Sequence, residues 1–598
     1  MEGWAGKILD IDLTAGSITT QALDMDMARQ FLGGRGLGAR MLWDLVGPEV
    51  EPLSPENVLI FATGPLTASG FQTSNRFSVS TKSPLTGTVL DANSGGWWGM
   101  QFKRTGYDVM IVRGKAPKPV MIEITADGVT LQDATHLWGK TVFETTEALG
   151  QDNNRRNVMC IGPAGENLVR IAAIMNDGTR ALARGGPGAV MGSKNLKAVV
   201  VEGSVKNTAQ DRDRYKFMLY ETSKLVKQSP LTSKALPEFG TAVVLNIINE
   251  IGALPTRNFQ QGMFEGAENI SGESISATIL KRKQACWACP IACTRITETE
   301  KAEGEGPEYE STWALGAQCG IDDLPLIAEA NYLCNDMGLD TISVGSTIGC
   351  AMELTEIGLL NSELRFGRKE LLHDTIRAIA YREGVGDMLA EGSYRLAESC
   401  GNAGYSMSAK KLELPAYDPR GMQGQGLLFA TSNRGGCHMR GNMLGPEVLA
   451  LPRLIDRLAY QGKAGIVAVH QNESALVDSL VLCKFVNMAV SADFFARQLS
   501  SMTGEHYSAS ELMQVGERTW NMERLYNLRE GFTRADDTLP PRLLEEPLTE
   551  GASAGYTVNL DPMLDEYYQF REWDANGVPI PRKLEELGLA ELAEGLFA

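Results

Sequence analysis

Long apolar runs are missing from this chain of 598 residues. The longest, such as Val58–Thr63 and Ile466–Val469, fall far short of the ~20 residues that a bilayer span needs. No transmembrane helix is therefore expected. The amino terminus, Met1-Glu2-Gly3-Trp4, lacks the basic and apolar regions of a signal peptide, so the chain is read as cytoplasmic. Positive charge is in short supply: 56 Lys and Arg stand against 74 Asp and Glu, a net charge of −18. Neutralising phosphates takes a basic surface, which excludes nucleic acid as a partner. Nucleotide signatures are absent too. No Gly-x4-Gly-Lys-Ser/Thr occurs, and no glycine cluster has both the spacing and the preceding strand of a dinucleotide fingerprint. A nicotinamide dehydrogenase is thereby disfavoured. Apolar residues at 43% and charged residues at 22% are globular values, which exclude disorder and coiled coil.

Glycine is abundant, with 63 residues, about a tenth of the chain against a usual ~7%. It clusters in Gly33-Gly34-Arg35-Gly36-Leu37-Gly38 and again in Gly185-Gly186-Pro187-Gly188-Ala189-Val190-Met191-Gly192. Met27–Leu32 before the first cluster reads as helix, and no strand is expected before the second. Arg35 and Arg184 accompany them. Backbone N–H groups beside a guanidinium suit a multidentate anion, while tight turns are the structural alternative.

Residues 1–207 read as a β-rich domain with glycine turns. Alternation marks Lys7–Leu13, and Val58–Ala62, Arg76–Ser80, Val109–Arg113, Val120–Ile124 and Ala198–Val201 are further strands. Thr141–Leu149 reads as helix. Residues 208–410 carry helical spacing at Arg212–Gln228, Thr241–Ile251, Ile275–Arg282, Leu324–Met337, Ser343–Ile357, Lys369–Arg382 and Val385–Glu398. Leu412–Asn433 is irregular, and helices return from Glu447 to complete a domain over 411–598. The fold class is α+β, a β-rich domain followed by two mostly helical ones.

Three of the ten cysteines are clustered. Residues 286–293 read Cys-Trp-Ala-Cys-Pro-Ile-Ala-Cys. Three thiolates at Cys286, Cys289 and Cys293 can wrap one face of an iron–sulfur cubane, with a fourth ligand from a distant segment. Structural zinc draws two cysteines from each of two knuckles, which a lone triplet does not supply. A zinc-stabilised scaffold without redox chemistry is the rival from another class.

Together with Gly33–Gly38, Asn75-Arg76, Ser83–Gly87, Asp91–Gly96, Gly188–Lys197, Asn335–Ser343 and Gly435–Met439, the triplet makes an ordered set. In that set the chain resembles the tungsten-containing aldehyde:ferredoxin oxidoreductase family over nearly its whole length. The resemblance implies a tungsten bis-pterin (tungstopterin) cradled by the N-terminal domain and a [4Fe-4S] cluster held by the triplet. The family's late Asp-x-x-Gly-Leu-Cys motif matches Asp478-Ser479-Leu480-Val481-Leu482-Cys483, with valine for glycine, which makes Cys483 the fourth ligand. It places Asp478 and Leu482 at one pterin. The partner motif reads Asn335-Asp336-Met337-Gly338-Leu339-Asp340 and places Asn335 and Asp340 at the other. Asn335 replaces a carboxylate but still accepts a hydrogen bond. Arg76 would lie between cluster and pterin. Asn93 and Ala183 would lie by the pterin phosphates with a Mg2+ ion, and Gly95, Arg184 and Gly185 would line that site.

The same resemblance implies oxidation of aldehydes to carboxylic acids, reversibly, with electrons passed to ferredoxin or a small polyferredoxin-like subunit. Tungsten would accept two electrons, W(VI) going to W(IV). Glu310 and His438 match the family's pocket glutamate and histidine. Glu310 would take a proton from the attacking oxygen, and His438 would donate to the carbonyl oxygen. Read without the resemblance, Glu305, Glu308 and Glu310 fit a solvated acidic loop. Where relatives bridge subunits through iron at Glu-x-x-His, this chain has Glu329-Ala330-Asn331-Tyr332, so any oligomer would lack that bridge. An aromatic acyl-thioester reductase is the alternative within the family. Lys281-Arg282-Lys283 is a candidate docking patch for an acidic ferredoxin.

Overall fold

The structure is a computed structural model that describes residues 1–152, 155–594 and 596. The first two hundred residues supply twelve strands: β1 (Lys7–Asp12), β2 (Ser17–Ala22), β3 (Leu59–Ala62), β4 (Phe77–Lys82), β5 (Val89–Ser94), β6 (Val109–Arg113), β7 (Val120–Thr125), β8 (Gly128–Asp133), β9 (Asn157–Cys160), β10 (Ile174–Asn176), β11 (Arg180–Leu182) and β12 (Leu196–Val201). They form two six-stranded sheets, ordered β2-β1-β6-β3-β4-β5 and β11-β10-β9-β12-β7-β8. The two parallel pairings are β1 with β6 and β12 with β7.

Alternation decides what each face buries. Leu9, Phe61, Val79 and Val112 of the first sheet join Ile122, Ile124, Met159 and Val199 of the second in one apolar cluster, so the sheets pack face to face. Trp98 sits between them, stacked 5.2 Å from Phe102 and tilted against Phe77 at 4.4 Å, its indole N–H donating to the Val199 carbonyl. The opposite face of the first sheet, through Ile8, Ile60 and Ile111, packs with Leu37 and Leu42 of helix Gly34–Leu45 and with Met522 and Tyr526 of helix Ala509–Arg529. Strands covered on both faces read as continuous apolar runs, as β3 does and as β12 does after Lys197.

Both glycine clusters turn out to govern packing. Gly34–Leu45 is helix. A Cβ on Gly36 would lie 2.3 Å from the Phe31 carbonyl oxygen, and one on Gly38 would lie 2.0 Å from Ser80 Oγ. These glycines let the helix lie on its neighbours, and Arg35 is buried in ion pairs with Glu523 and Asp478. The first cluster is not an anion loop. At the second, a strand does precede the glycines: β11 leads through Gly185 and Gly186, both at positive φ, into helix Pro187–Ser193 and then β12. β11 and β12 are not neighbours in the sheet, so this is no parallel dinucleotide-binding unit.

The remainder is mostly helical. Its long helices include Arg212–Gln228, Leu324–Met337, Thr341–Glu356, Lys463–Ser479 and Ala509–Arg529. One apolar cluster runs across residue 410, taking in Trp313, Ile348 and Ile379 before it and Leu412, Leu427 and Tyr567 after it. Three expected features differ. Helix does not extend over Ile275–Arg282: helical turns stop at Ile279, and Leu280–Gln284 forms β13, paired with β14 (Thr294–Glu298), which pairs with β15 (Glu303–Glu305). Leu412–Asn433 contains a fully buried helix, Gln423–Thr431, whose sequence Gln-Gly-Gln-Gly-Leu-Leu-Phe-Ala-Thr has no one-sided apolar stripe for periodicity to show. Val385–Glu398 is two short helices broken at Gly392, which has φ +86°.

Candidate active site

The cysteine triplet hangs between β13 and β14, whose pairing closes at Gln284 opposite Thr294. Ala288 and Ala292 adopt positive φ, 53° and 49°. The N–H groups of Ile291 and Ala292 then point at the Cys289 sulfur. Cys483 follows helix Lys463–Ser479 through Val481, also at positive φ. Its own N–H donates to the Thr73 carbonyl (3.0 Å), and its sulfur accepts from the Phe485 N–H. The four thiols act on one another electrostatically, so the fold gathers them around one volume. Burial pushes Cys289 up to about 12 and raises Cys293 and Cys483 as well. Four sulfurs on a single zinc would lie about 3.8 Å apart. Among the described residues no three His, Cys, Asp or Glu side chains are placed to hold a single metal ion. Four cysteines that interact with one another, with backbone N–H groups turned to the sulfurs, are the donor set that a cubane takes.

Arg76, at the start of β4, stands beside this group and lowers the Cys483 pKa by its charge. Its guanidinium donates to Oδ1 and to the main-chain oxygen of Asn93 on β5. A Cβ on Gly95 would sit 3.1 Å from Cys286 Sγ and 3.3 Å from Arg76 Nη1, so the residue at 95 must be small. Two cavities meet at Arg76. One, of about 190 Å³, is lined by Gly95, Arg180, Ala183, Glu305, Asn335 and Leu339 among others. The second, of about 60 Å³, is lined by Asn93, Arg434, Met439, Arg440, Asp478, Leu482 and Lys484. Asn335 and Leu339 come from one of the paired motifs, Asp478 and Leu482 from the other. The two motifs thus serve opposite sides of one arginine.

Glu310 and His438 come together from segments far apart in sequence. Glu310 lies in the first turn of helix Tyr309–Leu315, and its Oε2 accepts from the Ala416 N–H at 3.0 Å. His438 Nδ1 lies 3.5 Å from Glu310 Oε1. Neither atom has a hydrogen-bond partner. The side chains are 15% and 13% exposed for His438 and Glu310. Burial pushes Glu310 up to about 8, with Arg184 opposing it. Burial and the charges of Arg184 and Arg434 push His438 down to about 3. At neutral pH the pair therefore holds its proton on the carboxyl and leaves the imidazole neutral. Their neighbours Glu308 and Ser311 line the larger cavity, while Arg434 and Met439 line the smaller. The stretch from Glu305 to Glu310 is no solvated loop: Glu305 is buried, bonded to Thr179 (2.7 Å) and paired with Arg180 (3.0 Å).

Three expected cofactor residues stand one layer back. Arg184 donates to the main-chain oxygens of Gly436 and Glu413 and pairs with Asp340. Asp340 caps helix Thr341–Glu356 and accepts from Ser343 Oγ (2.8 Å). Gly185 packs on Leu90, and its carbonyl accepts from Ser83 Oγ. They hold the surroundings of Glu310 and His438 and line neither of these two cavities. Tyr332, at the place of the family's bridging histidine, is buried against Thr297. Several residues that the sequence did not single out are central. Arg434, Arg440, Lys484 and Arg180 bring positive charge to the cavities, and Cys437 Sγ accepts from Arg434 Nη2 at 2.9 Å. The run Arg434–Arg440 was the available signal, since four cationic or titratable groups, Arg434, Cys437, His438 and Arg440, accompany two glycines there.

Asn93 Nδ2, Arg434 Nε and Arg440 Nε are buried without hydrogen-bond partners. Unmet donors on cationic groups facing a cavity fit an anionic group rich in acceptors. The fit to a pterin phosphate cofactor rests on this donor chemistry.

Comparisons with known proteins find relatives over nearly the whole chain. Residues 8–203 match the family model described as the N-terminal domain of aldehyde ferredoxin oxidoreductase, and residues 218–589 match its domains 2 and 3. The chain is 48% identical to a tungsten-containing aldehyde ferredoxin oxidoreductase of Pyrococcus furiosus over 99% of this chain and 100% of that one. It is 31% identical to an aliphatic sulfonate oxidoreductase subunit of the same organism, over 99% and 98% of the two chains. Among solved structures it is similar to the active-site complex of a benzoyl coenzyme A reductase, with TM-score 0.85 and 26% identity, covering 99% of this chain and 98% of that one.

Proposed function

The chain belongs to the aldehyde ferredoxin oxidoreductase family, and from that membership we propose that it oxidises aldehydes to carboxylic acids at a tungsten bis-pterin and delivers the electrons to ferredoxin or a ferredoxin-like subunit. The overall change is R–CHO + H2O to R–COOH with two electrons and two protons released. Bound tungstopterin supplies the two-electron sink, and a [4Fe-4S] cluster on Cys286, Cys289, Cys293 and Cys483 supplies one-electron relay. Around the pterins we place Arg76, Asn93, Gly95, Ala183, Asn335, Asp478 and Leu482 in contact, with Arg184, Gly185 and Asp340 supporting them. A Mg2+ ion near Asn93 and Ala183 suits carbonyl and phosphate oxygens.

The observation that carries the reading is the unpartnered, buried pair, Glu310 Oε1 and His438 Nδ1, whose chain neighbours line the two cavities. A neutral imidazole keeps one N–H, so His438 polarises the aldehyde oxygen by a hydrogen bond rather than by charge. Glu310, once deprotonated, takes the proton from the water that attacks the carbonyl carbon. In reverse it returns that proton, and it is loaded below about pH 8. Tyr309 and Tyr417, with ring centroids 5.7 Å apart and both buried, wall the pair from bulk water.

All ten cysteines are free thiols. Free thiols and an oxygen-sensitive cluster suit a reducing compartment, which supports a cytoplasmic enzyme. No helix among the described residues is long and apolar enough to cross a membrane. The assay is anaerobic, with aliphatic and aromatic aldehydes and a viologen acceptor, run beside benzoyl-thioester reduction. Acid formation matched to viologen reduction supports the proposal. Thioester reduction without aldehyde oxidation would replace it with the activity of a benzoyl coenzyme A reductase.

A further inference from the structure

The cysteine loop reaches the surface. Ala288 and Pro290 are exposed, and the four clustered cysteines are only half-buried. The surroundings carry the opposite sign to the chain as a whole. Residues 212–240 and 280–295 together hold ten Lys and Arg against three Asp and Glu, in a chain of net charge −18.

Helix Arg212–Gln228 is tied to this loop. Its Leu219 carbonyl and Thr222 hydroxyl bond the side chain of Gln72 (3.2 and 3.0 Å), and the next residue, Thr73, accepts from the Cys483 N–H. Farther along, Leu225 and Val226 share an apolar cluster with Cys289, Ile291 and Cys293. The outward face of the helix presents Lys216, Phe217, Tyr220 and Lys227, with Lys234 just beyond its end. Phe217 and Tyr220 are 60% and 59% exposed, large for aromatic rings. Lys216, Lys227, Lys234, Arg282 and Lys283 make no ion pair among the described residues, whereas Lys281 is held by Glu298 and Glu303.

We propose that the surface bordering the cysteine loop, with Phe217, Tyr220, Lys227 and Lys234 from one segment and Arg282 and Lys283 from the other, docks a small acidic iron–sulfur protein over that loop. The inference rests on the redox function proposed above. Exposed aromatics ringed by cations are the composition of an interface. An acidic partner would be repelled by the chain's overall charge, and only a local basic field brings it to the loop in the right orientation. The small side chains of Ala288 and Pro290 let it approach the thiolates closely.

The test uses the holoenzyme, a purified acidic bacterial ferredoxin and a viologen dye. In the variant Lys227→Glu/Lys234→Glu/Lys283→Glu we expect KM for ferredoxin to rise at least tenfold at low salt. The viologen-linked rate and the metal content should stay unchanged. Phe217→Ala/Tyr220→Ala should weaken ferredoxin without flattening the salt dependence. Binding of ferredoxin to immobilised holoenzyme is read separately. Equal affinity of the charge-reversed and unaltered proteins would overturn the docking surface. Reduced affinity in a protein that oxidises no aldehyde would uphold the surface and overturn only the substrate reading.

Discussion

At the scale of single residues, Glu310 makes the sharpest claim. Its carboxyl is pushed up to about 8 by burial, so it carries a proton at neutral pH and becomes a base as pH rises. We expect viologen-linked aldehyde oxidation to climb through about pH 8, and acid reduction to favour the lower side. Glu310→Gln should lower kcat by about 10²- to 10⁴-fold, the range for a lost general base, and should abolish the alkaline rise. A full pH profile of both proteins checks this. A Gln variant with the same profile would remove Glu310 from the chemistry. The same shift carries a stability consequence. A carboxyl raised on folding adds stability that is whole below about pH 4.5 and is lost as pH climbs toward about 8. Glu310→Gln should therefore flatten the denaturation midpoint across that window. The partners of Glu310 were legible in part. His438 stands out because histidines are few and its loop is basic. Arg180 was not legible, because it reaches the larger cavity from a segment with no fixed spacing to any motif.

Elements explain a second set of outcomes. Strands at Val109–Arg113 and Val120–Ile124 were readable as short apolar runs rich in β-branched residues. Helix Gly34–Leu45 was not, because glycine is a poor helix former and three of its first five residues are glycine. Tertiary packing overrides that propensity: the missing Cβ atoms are what let the helix reach Phe31 and Ser80. Gly36→Ala should then cost about 1–3 kcal/mol, as overpacked sites do, despite alanine's better propensity. Faster thermal inactivation would confirm it; a more stable variant would show that propensity, not space, governs position 36. The strand at Leu280–Gln284 was missed for the converse reason. Lys281-Arg282-Lys283 carries no apolar alternation, and only pairing with Thr294–Glu298 fixes it as strand.

The whole molecule is held at its centre by charge. Arg35 from the first helical layer binds Glu523 with two bonds, 2.6 and 2.7 Å, and reaches Asp478, which also pairs with Arg440 and Lys484. Removing one partner of a buried pair typically costs about 3–5 kcal/mol, because the other charge is left uncompensated. Arg35→Met should destabilise by that order and disturb the smaller cavity through Asp478. Retention of tungsten and wild-type stability in Arg35→Met would contradict this linkage. Domain order was legible from the shift out of β alternation near residue 207. The joining of later helices into one core across residue 410 was not, since long-range packing leaves no local mark.

The most direct test of the account is elemental analysis of anaerobically purified protein, coupled to EPR of the aldehyde-reduced sample. We expect one tungsten and about four iron per chain, as one cubane requires. Cys289→Ser should lower the iron while the aldehyde-dependent cluster signal fades. Zinc in place of iron and tungsten, from cells supplied with all three, would contradict the redox centre and leave the cysteine loop as a structural device.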